Sequence, residues 1–210
     1  MHPDGRRLRV VATVAAVTAV LLLLLWVAAL ALSVPVAGHS MEPTIHDADR
    51  LELRPLGGGT PRRFDVVVAR QPGEEIDGGG TEIVKRVIGL PGDEVAVRGG
   101  EHPEVLLRPA GDSRTYLVSS GTWSDQVGSE VAACCADDGR SVAGGDEAEQ
   151  WAEVPAGSYW VIGDNWGGSS DSRYFGFVPA SSIRAVVWFR LTPWSALGSL
   201  DSPVSMAPVP

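Results

Sequence analysis

The sequence predicts a mainly β domain carrying a β-ribbon insertion behind one N-terminal transmembrane helix, and three observations lead there. Val10 to Leu32 is an apolar run without a charged residue. Beyond it, short runs rich in Val, Ile, Trp and Phe are separated by Gly- and Pro-bearing turns, at a spacing that suits a barrel or sandwich. No stretch of that region repeats apolar residues at helical spacing. With 210 residues, 44% of them hydrophobic, the chain can bury one sizeable core and still carry an appendage. A net charge of −9 argues against a nucleic-acid partner, because phosphate binding needs a basic face.

Residues 1–9 hold Arg6, Arg7 and Arg9 and are expected to stay cytoplasmic. As a helix, 10–32 would extend about 35 Å, enough for a hydrocarbon core of about 30 Å. A cleavable secretory signal competes with this reading, since Ala29-Leu30-Ala31 has the small-x-small form of a cleavage site. Signal h-regions run only about 7 to 15 residues, so length favours an uncleaved anchor. Both readings export everything after Leu32.

Pro35 blocks helix continuation, so Ser33 to Ala37 should be extended. Residues 33–98 and 150–198 are expected to form the extracytoplasmic β-domain that carries the candidate chemistry described below. Its strands are placed around Arg50–Leu53, Arg63–Ala69, Thr81–Ile88, Asp93–Val97, Gly157–Gly163 and Ile183–Leu191. Gly, Asp, Glu and Ser dominate 99–149, which reads as an inserted subdomain with little core of its own and mobile tips. The Pro- and Ser-rich tail 199–210 is expected to be disordered. Cys134 and Cys135 are adjacent, about 3.8 Å apart at Cα and closer than an unstrained bridge prefers. A vicinal disulfide and two free thiols both remain open. Neither this pair nor the scattered histidines have metal-ligand spacing, so no metal is expected.

Three segments carry candidate chemistry. In TEIVKRVIGLPGDEV, Lys85 shares a strand face with Ile83 and Val87, and burial there would disfavour its ammonium. A neutral amine beside a serine hydroxyl could serve as its base; the bland alternative is an edge lysine that keeps the strand soluble. Ser40 lies in GHSMEPT, between an extended segment and a turn. His39 points away from Ser40 on an extended chain, and His46 and His102 have no orienting acid at a telling position. GDNWGGSSDSRYFGFVP, from Gly163 to Pro179, packs polar residues between apolar strands, with Asp171 and Arg173 placed to pair and Ser169 and Ser170 nearby. A solvated loop would explain that composition but not its company.

Together the three segments resemble bacterial type I signal peptidase, the membrane-bound Ser/Lys endopeptidase family. An anchor is followed by Ser40-Met41-Glu42-Pro43-Thr44, then by Lys85-Arg86 through Gly92-Asp93. Last come Gly163-Asp164-Asn165, Ser169 through Arg173, Gly176 and Val178. The resemblance implies a signal-peptidase-like β-fold with Ser40 as nucleophile and Lys85 as general base. Ser169 would orient the lysine, and Asp171 with Arg173 would form an ion pair beneath the site. The family's oxyanion hole uses the nucleophile's backbone N–H, with a serine side chain two residues earlier in some members; here that position is Gly38. The implied substrates are exported preproteins with small residues at −1 and −3. They would bind as an added strand against pockets walled by residues such as Val36, Gly38 and Ile83. The implied setting is the bacterial plasma membrane, single-pass, with lipid around the anchor, no cofactor and a monomeric chain. Trp188 and Trp194 are candidates for the bilayer surface, or else core packing. A self-cleaving Ser/Lys repressor would share the dyad but not the anchor. A catalytically silent membrane-tethered binding module on the same fold is the non-enzymatic alternative.

Overall fold

The apolar run folds as one helix, α1 (Pro3–Leu32), in the computed structural model of the chain. The structure describes residues 3–56, 59–73, 80–100, 103–121, 123, 133–141, 150–200 and 204–209. From Arg6 to Leu32 the helix is long and apolar enough to cross a membrane. The rest is mainly β. In chain order the strands are β1 (Val34–Pro35), β2 (Arg50–Pro55), β3 (Val66–Arg70), β4 (Glu82–Gly89), β5 (Glu94–Arg98), β6 (Glu104–Arg108), β7 (Tyr116–Ser119), β8 (Ala152–Glu153) and β9 (Ser158–Ile162). A one-turn helix, α2 (Ser172–Phe175), follows, and then β10 (Val178–Pro179), β11 (Ile183–Thr192), β12 (Gly198–Ser199) and β13 (Ser205–Pro208).

These strands build two antiparallel sheets. The larger runs β1-β2-β11-β3-β4-β9-β10, with β12 also on β11, and the smaller runs β13-β7-β6-β5-β8. The chain passes from one sheet to the other at Leu90–Asp93. There Asp93 Oδ2 accepts the Leu90 N–H at 2.6 Å and pairs with Arg63 at 2.7 Å, so a carboxylate locks the turn from both sides. Ile88, Trp160 and Ile162 of the larger sheet pack against Val95, Val105 and Leu107 of the smaller one. The sheets therefore share a core, and the two faces of the larger sheet bury further clusters around Val67 and Val87 and around Met41 and Leu51.

Five expectations are corrected. The strand expected from Arg63 begins at Val66, because Phe64 has φ +72° and its carbonyl accepts from Arg86 Nη1 at 3.0 Å, which turns the chain. Helical structure does occur after the anchor, as α2, capped by the Asp171 side chain on the Arg173 N–H; a single turn is too short to show periodicity. The described part of 99–149 has core after all, since Val105, Leu107, Val118 and Cys134 pack with Ile88 and Trp160. The smaller sheet also takes β5 and β8 from the segments placed in the catalytic domain. The tail is partly ordered: β13 pairs with β7 from Ser205↔Ser119 to Pro208↔Tyr116. Its partner lies far away in sequence, and an edge strand tolerates proline, so local composition hides it. The expected mobile tips fall largely on 101–102, 122, 124–132 and 142–149, outside the described residues, as does His102. Cys134 and Cys135 are joined by a disulfide.

Candidate active site

Ser40 sits on a tight turn that begins where β1 ends. Gly38 takes φ +100°, a value that side-chain-bearing residues avoid, and donates its N–H to Asp47 Oδ1 at 2.8 Å. Met41 and Ile45 then bury beneath the turn, so the apolar half of SMEPTI anchors it and Ser40 stays half-exposed. On β4, Lys85 lies opposite Val67 of β3, with Ile83 and Val87 on the same face, and is only 3% exposed. Its Nζ donates to Ser40 Oγ at 2.7 Å and to the Val84 carbonyl at 3.1 Å. Burial of the ammonium lowers the Lys85 pKa to about 8; Asp171 and Asp164 pull it back upward, and Arg173 pushes it down. An amine with that pKa is neutral in a usable fraction of molecules near neutral pH, and it already touches a hydroxyl.

The loop after β9 closes the site from behind. Asn165 donates its backbone N–H to the Ser40 carbonyl at 3.1 Å and its side-chain amide to the His39 carbonyl at 3.0 Å. Gly163 lies against the same turn: a Cβ there would overlap both Ser169 Oγ and the Ser40 carbonyl oxygen. Asp171 accepts the Gly163 N–H at 3.0 Å and holds Arg173 through two bonds of 2.7 and 2.8 Å; Arg173 also donates to the Trp166 carbonyl at 3.0 Å. A second bidentate pair joins Arg86 to Asp164 at 2.5 and 2.8 Å, fully buried, with Trp123 Nε1 on the same carboxylate at 3.3 Å. Two neutralised ion pairs thus brace the walls beside the lysine, while among the described residues its own ammonium has no carboxylate in contact. Among the described residues, no three His, Cys, Asp or Glu side chains converge as metal ligands would.

The profile of the family described as signal peptidase, peptidase S26, matches residues 8–194. The chain belongs to the signal peptidase family. Similar proteins include a signal peptidase I of Bacillus caldolyticus, 34% identical over 76% of this chain and 78% of that one. A signal peptidase I of Leptolyngbya laminosa is 32% identical over 81% and 73%. Subunit 1 of the mitochondrial inner membrane protease of Mus musculus is 30% identical over 80% and 74%. Membership makes the chain a peptidase.

Most of the residues singled out in the sequence meet in this cluster. Ser40 and Lys85 are in contact, and Asp171 pairs with Arg173. Ser169 lies beside Gly163, but its buried Oγ has no hydrogen-bond partner among the described residues, so the expected bond to Lys85 is not formed. Val36 is half-buried on the cluster under the Ser40 turn; Ile83 is buried in the cluster around Val67 and Val87. His39 turns to Glu42, at 2.8 Å, rather than to Ser40. The sequence reading gave no role to Arg86, Asp164, Gly163 or Asn165, although all four stand in the quoted motifs. It also passed over one signal: Lys85 is the single lysine of the chain, every other one of its 17 basic Lys and Arg side chains being arginine. A guanidinium cannot be deprotonated in a protein, so a base is a role that an arginine could not fill.

Proposed function

We propose that this chain is a signal peptidase I, removing N-terminal signal peptides from exported preproteins after small-x-small sites through a Ser40/Lys85 dyad. The observation that carries the proposal is the 2.7 Å contact between Lys85 Nζ and Ser40 Oγ within a site that lowers the lysine pKa to about 8. Once the amine is neutral, the bond reverses and the hydroxyl donates to it. Ser40 Oγ then attacks the carbonyl carbon of the −1 residue as its proton passes to Lys85, and the carbonyl oxygen becomes an oxyanion. The Ser40 backbone N–H is the expected oxyanion donor, and Gly38 contributes no side-chain donor. Collapse of the tetrahedral species breaks the C–N bond, and Lys85 gives its proton to the departing amine. An acyl-enzyme remains on Ser40. Lys85, neutral again, takes a proton from water, whose oxygen attacks the ester and frees Ser40.

Ser169, whose unpartnered Oγ lies within the site, is the group we assign to orient Lys85 once substrate is bound, and the Asp171–Arg173 pair holds the loop that carries it. The substrate lies as an added strand, its small side chains against Val36, Gly38 and Ile83. The arginines in the first turns of α1, Arg6, Arg7 and Arg9, support a cytoplasmic N-terminus, with the β-domain on the far side of the plasma membrane. Both dyad members come from one chain, which supports a monomer.

A synthetic peptide carrying Ala-x-Ala, offered to detergent-solubilised protein, tests the proposal. Cleavage is expected after the second alanine, with kcat/KM rising through a pH of about 8. Lys85→Met should lose about 10²- to 10⁴-fold and Ser40→Ala at least as much. Cleavage that survives Lys85→Met would remove the lysine from the mechanism, and no cleavage across several such peptides would leave a silent binding module.

A further inference from the structure

We infer that Arg50, together with the contact between Trp26 and Trp194, fixes the height of Ser40 above the bilayer and so determines where a membrane-inserted substrate is cut relative to its apolar segment. This rests on the preprotein reading above. Seven residues separate Leu32, the end of α1, from Ser40. Left free, such a tether would spread its ends over roughly 15 Å, and the nucleophile would have no defined depth. Here it has almost no slack. Ser33 donates its N–H to the Ala29 carbonyl at 3.0 Å, and Val34 and Pro35 pair with Leu51 and Arg50 as β1. Val36 donates to the Asp49 carbonyl at 2.8 Å and accepts from Ala48 at 3.1 Å, and Gly38 is held by Asp47.

Arg50 is the clamp of this joint. Its Nη2 donates to the carbonyls of Leu30 at 2.7 Å and Ser33 at 3.1 Å, and its Nε donates to Ser33 Oγ at 2.7 Å. A cation on the last carbonyls of a helix is favoured by both hydrogen bonding and the helix dipole. The same residue belongs to β2 and donates its backbone N–H to Thr192 Oγ1 at 3.2 Å, so helix and sheet meet in one side chain. A second contact prevents rotation about that point. Trp26, six residues before the helix end and so about 9 Å along it, meets Trp194 edge to face, with ring centroids 5.4 Å apart. Trp194 is 73% exposed, and its turn is tied to the nucleophile turn through Arg190, which donates to Ala196 O at 2.9 Å and to Thr44 O at 2.8 Å. Membrane helix, indole contact and nucleophile turn therefore move as one body.

The test uses full-length protein in phospholipid vesicles. One substrate series is membrane-inserted, with the Ala-x-Ala site moved one residue at a time away from the apolar segment; the other substrate is a soluble peptide with the same site. Wild type should cut the inserted series within a narrow window of positions. Arg50→Ala and Trp26→Leu should each widen that window by several positions and lower cleavage at its best position about tenfold, leaving the soluble peptide unaffected. Trp26→Leu alters only the membrane helix, so it reports on the joint even where Arg50→Ala unfolds the domain. An unchanged window in Trp26→Leu overturns the inference, as does a loss shared equally by inserted and soluble substrates. Wild type cutting neither substrate would overturn the preprotein reading itself and this inference with it.

Discussion

Folding takes Lys85 from an ordinary pKa of 10.5 to about 8, and that difference has a sign that stability measurements can read. Between the two values the unfolded chain holds more proton than the folded one, so stability rises with pH across the window. The cost of the buried ammonium is greatest below pH 8, where it is on the order of 3 kcal/mol. Lys85→Met should therefore stabilise the protein at pH 6 to 7, by up to that amount, while lowering cleavage about 10²- to 10⁴-fold. The gain should shrink as pH climbs from 8 and vanish near 10.5, a profile that denaturant unfolding at several pH values would trace. A gain independent of pH would mean that packing rather than charge was responsible. The Asp171–Arg173 and Arg86–Asp164 pairs differ in kind: each buried charge has its opposite at hydrogen-bond distance, so removing one partner would leave the other buried and uncompensated.

At the scale of elements, the site is a contact between the Ser40 turn, β4 and the loop after β9, and Gly163 is where that contact is tightest. Gly163→Ala would drive a methyl group into Ser169 Oγ and the Ser40 carbonyl. We expect a loss of about 1 to 3 kcal/mol and a drop in kcat larger than the change in KM, read from unfolding curves and steady-state kinetics. Full kcat in that variant would show that the two segments can part without harm. How much of this was legible varies with the reach of each signal. β4 was readable because β-branched residues surround Lys85 and Pro91-Gly92 ends the run, all within fifteen residues. The Arg86–Asp164 pair was not, because its members stand 78 residues apart and each looks like an ordinary charge in its own segment. Ser169 stood out in its polar segment but took its role from resemblance alone, and its hydroxyl, without a partner among the described residues, shows that a motif gives a neighbour without giving a bond. The start of β3 was misplaced because nothing local reveals the positive φ of Phe64, which Arg86 secures from another strand.

The whole molecule is held together by long-range returns, and the last of these is β13. It covers the outer edge of β7, and Val204 just before it enters the core shared by both sheets. Deleting residues 204–210 should lower stability by about 2 kcal/mol and leave the backbone of β7 open to pairing with another chain. Light scattering against concentration should then show more self-association in the truncated protein than in the full chain; no difference between the two would mean that the edge is protected otherwise. The fold class was legible at this scale because strand spacing and the anchor are global patterns, whereas the tail's order depends on a partner 86 positions upstream of Ser205. One feature of the composition also reaches beyond stability and mechanism. With a single lysine in 210 residues, and that one buried against the nucleophile, the chain offers amine-directed reagents one side chain besides its α-amine. A small electrophile such as cyanate would thus mark the active site of the unmutated protein with one side-chain adduct per molecule, distinguished from the α-amine adduct by peptide mapping, and protection of Lys85 from it would report occupancy of the site by any ligand.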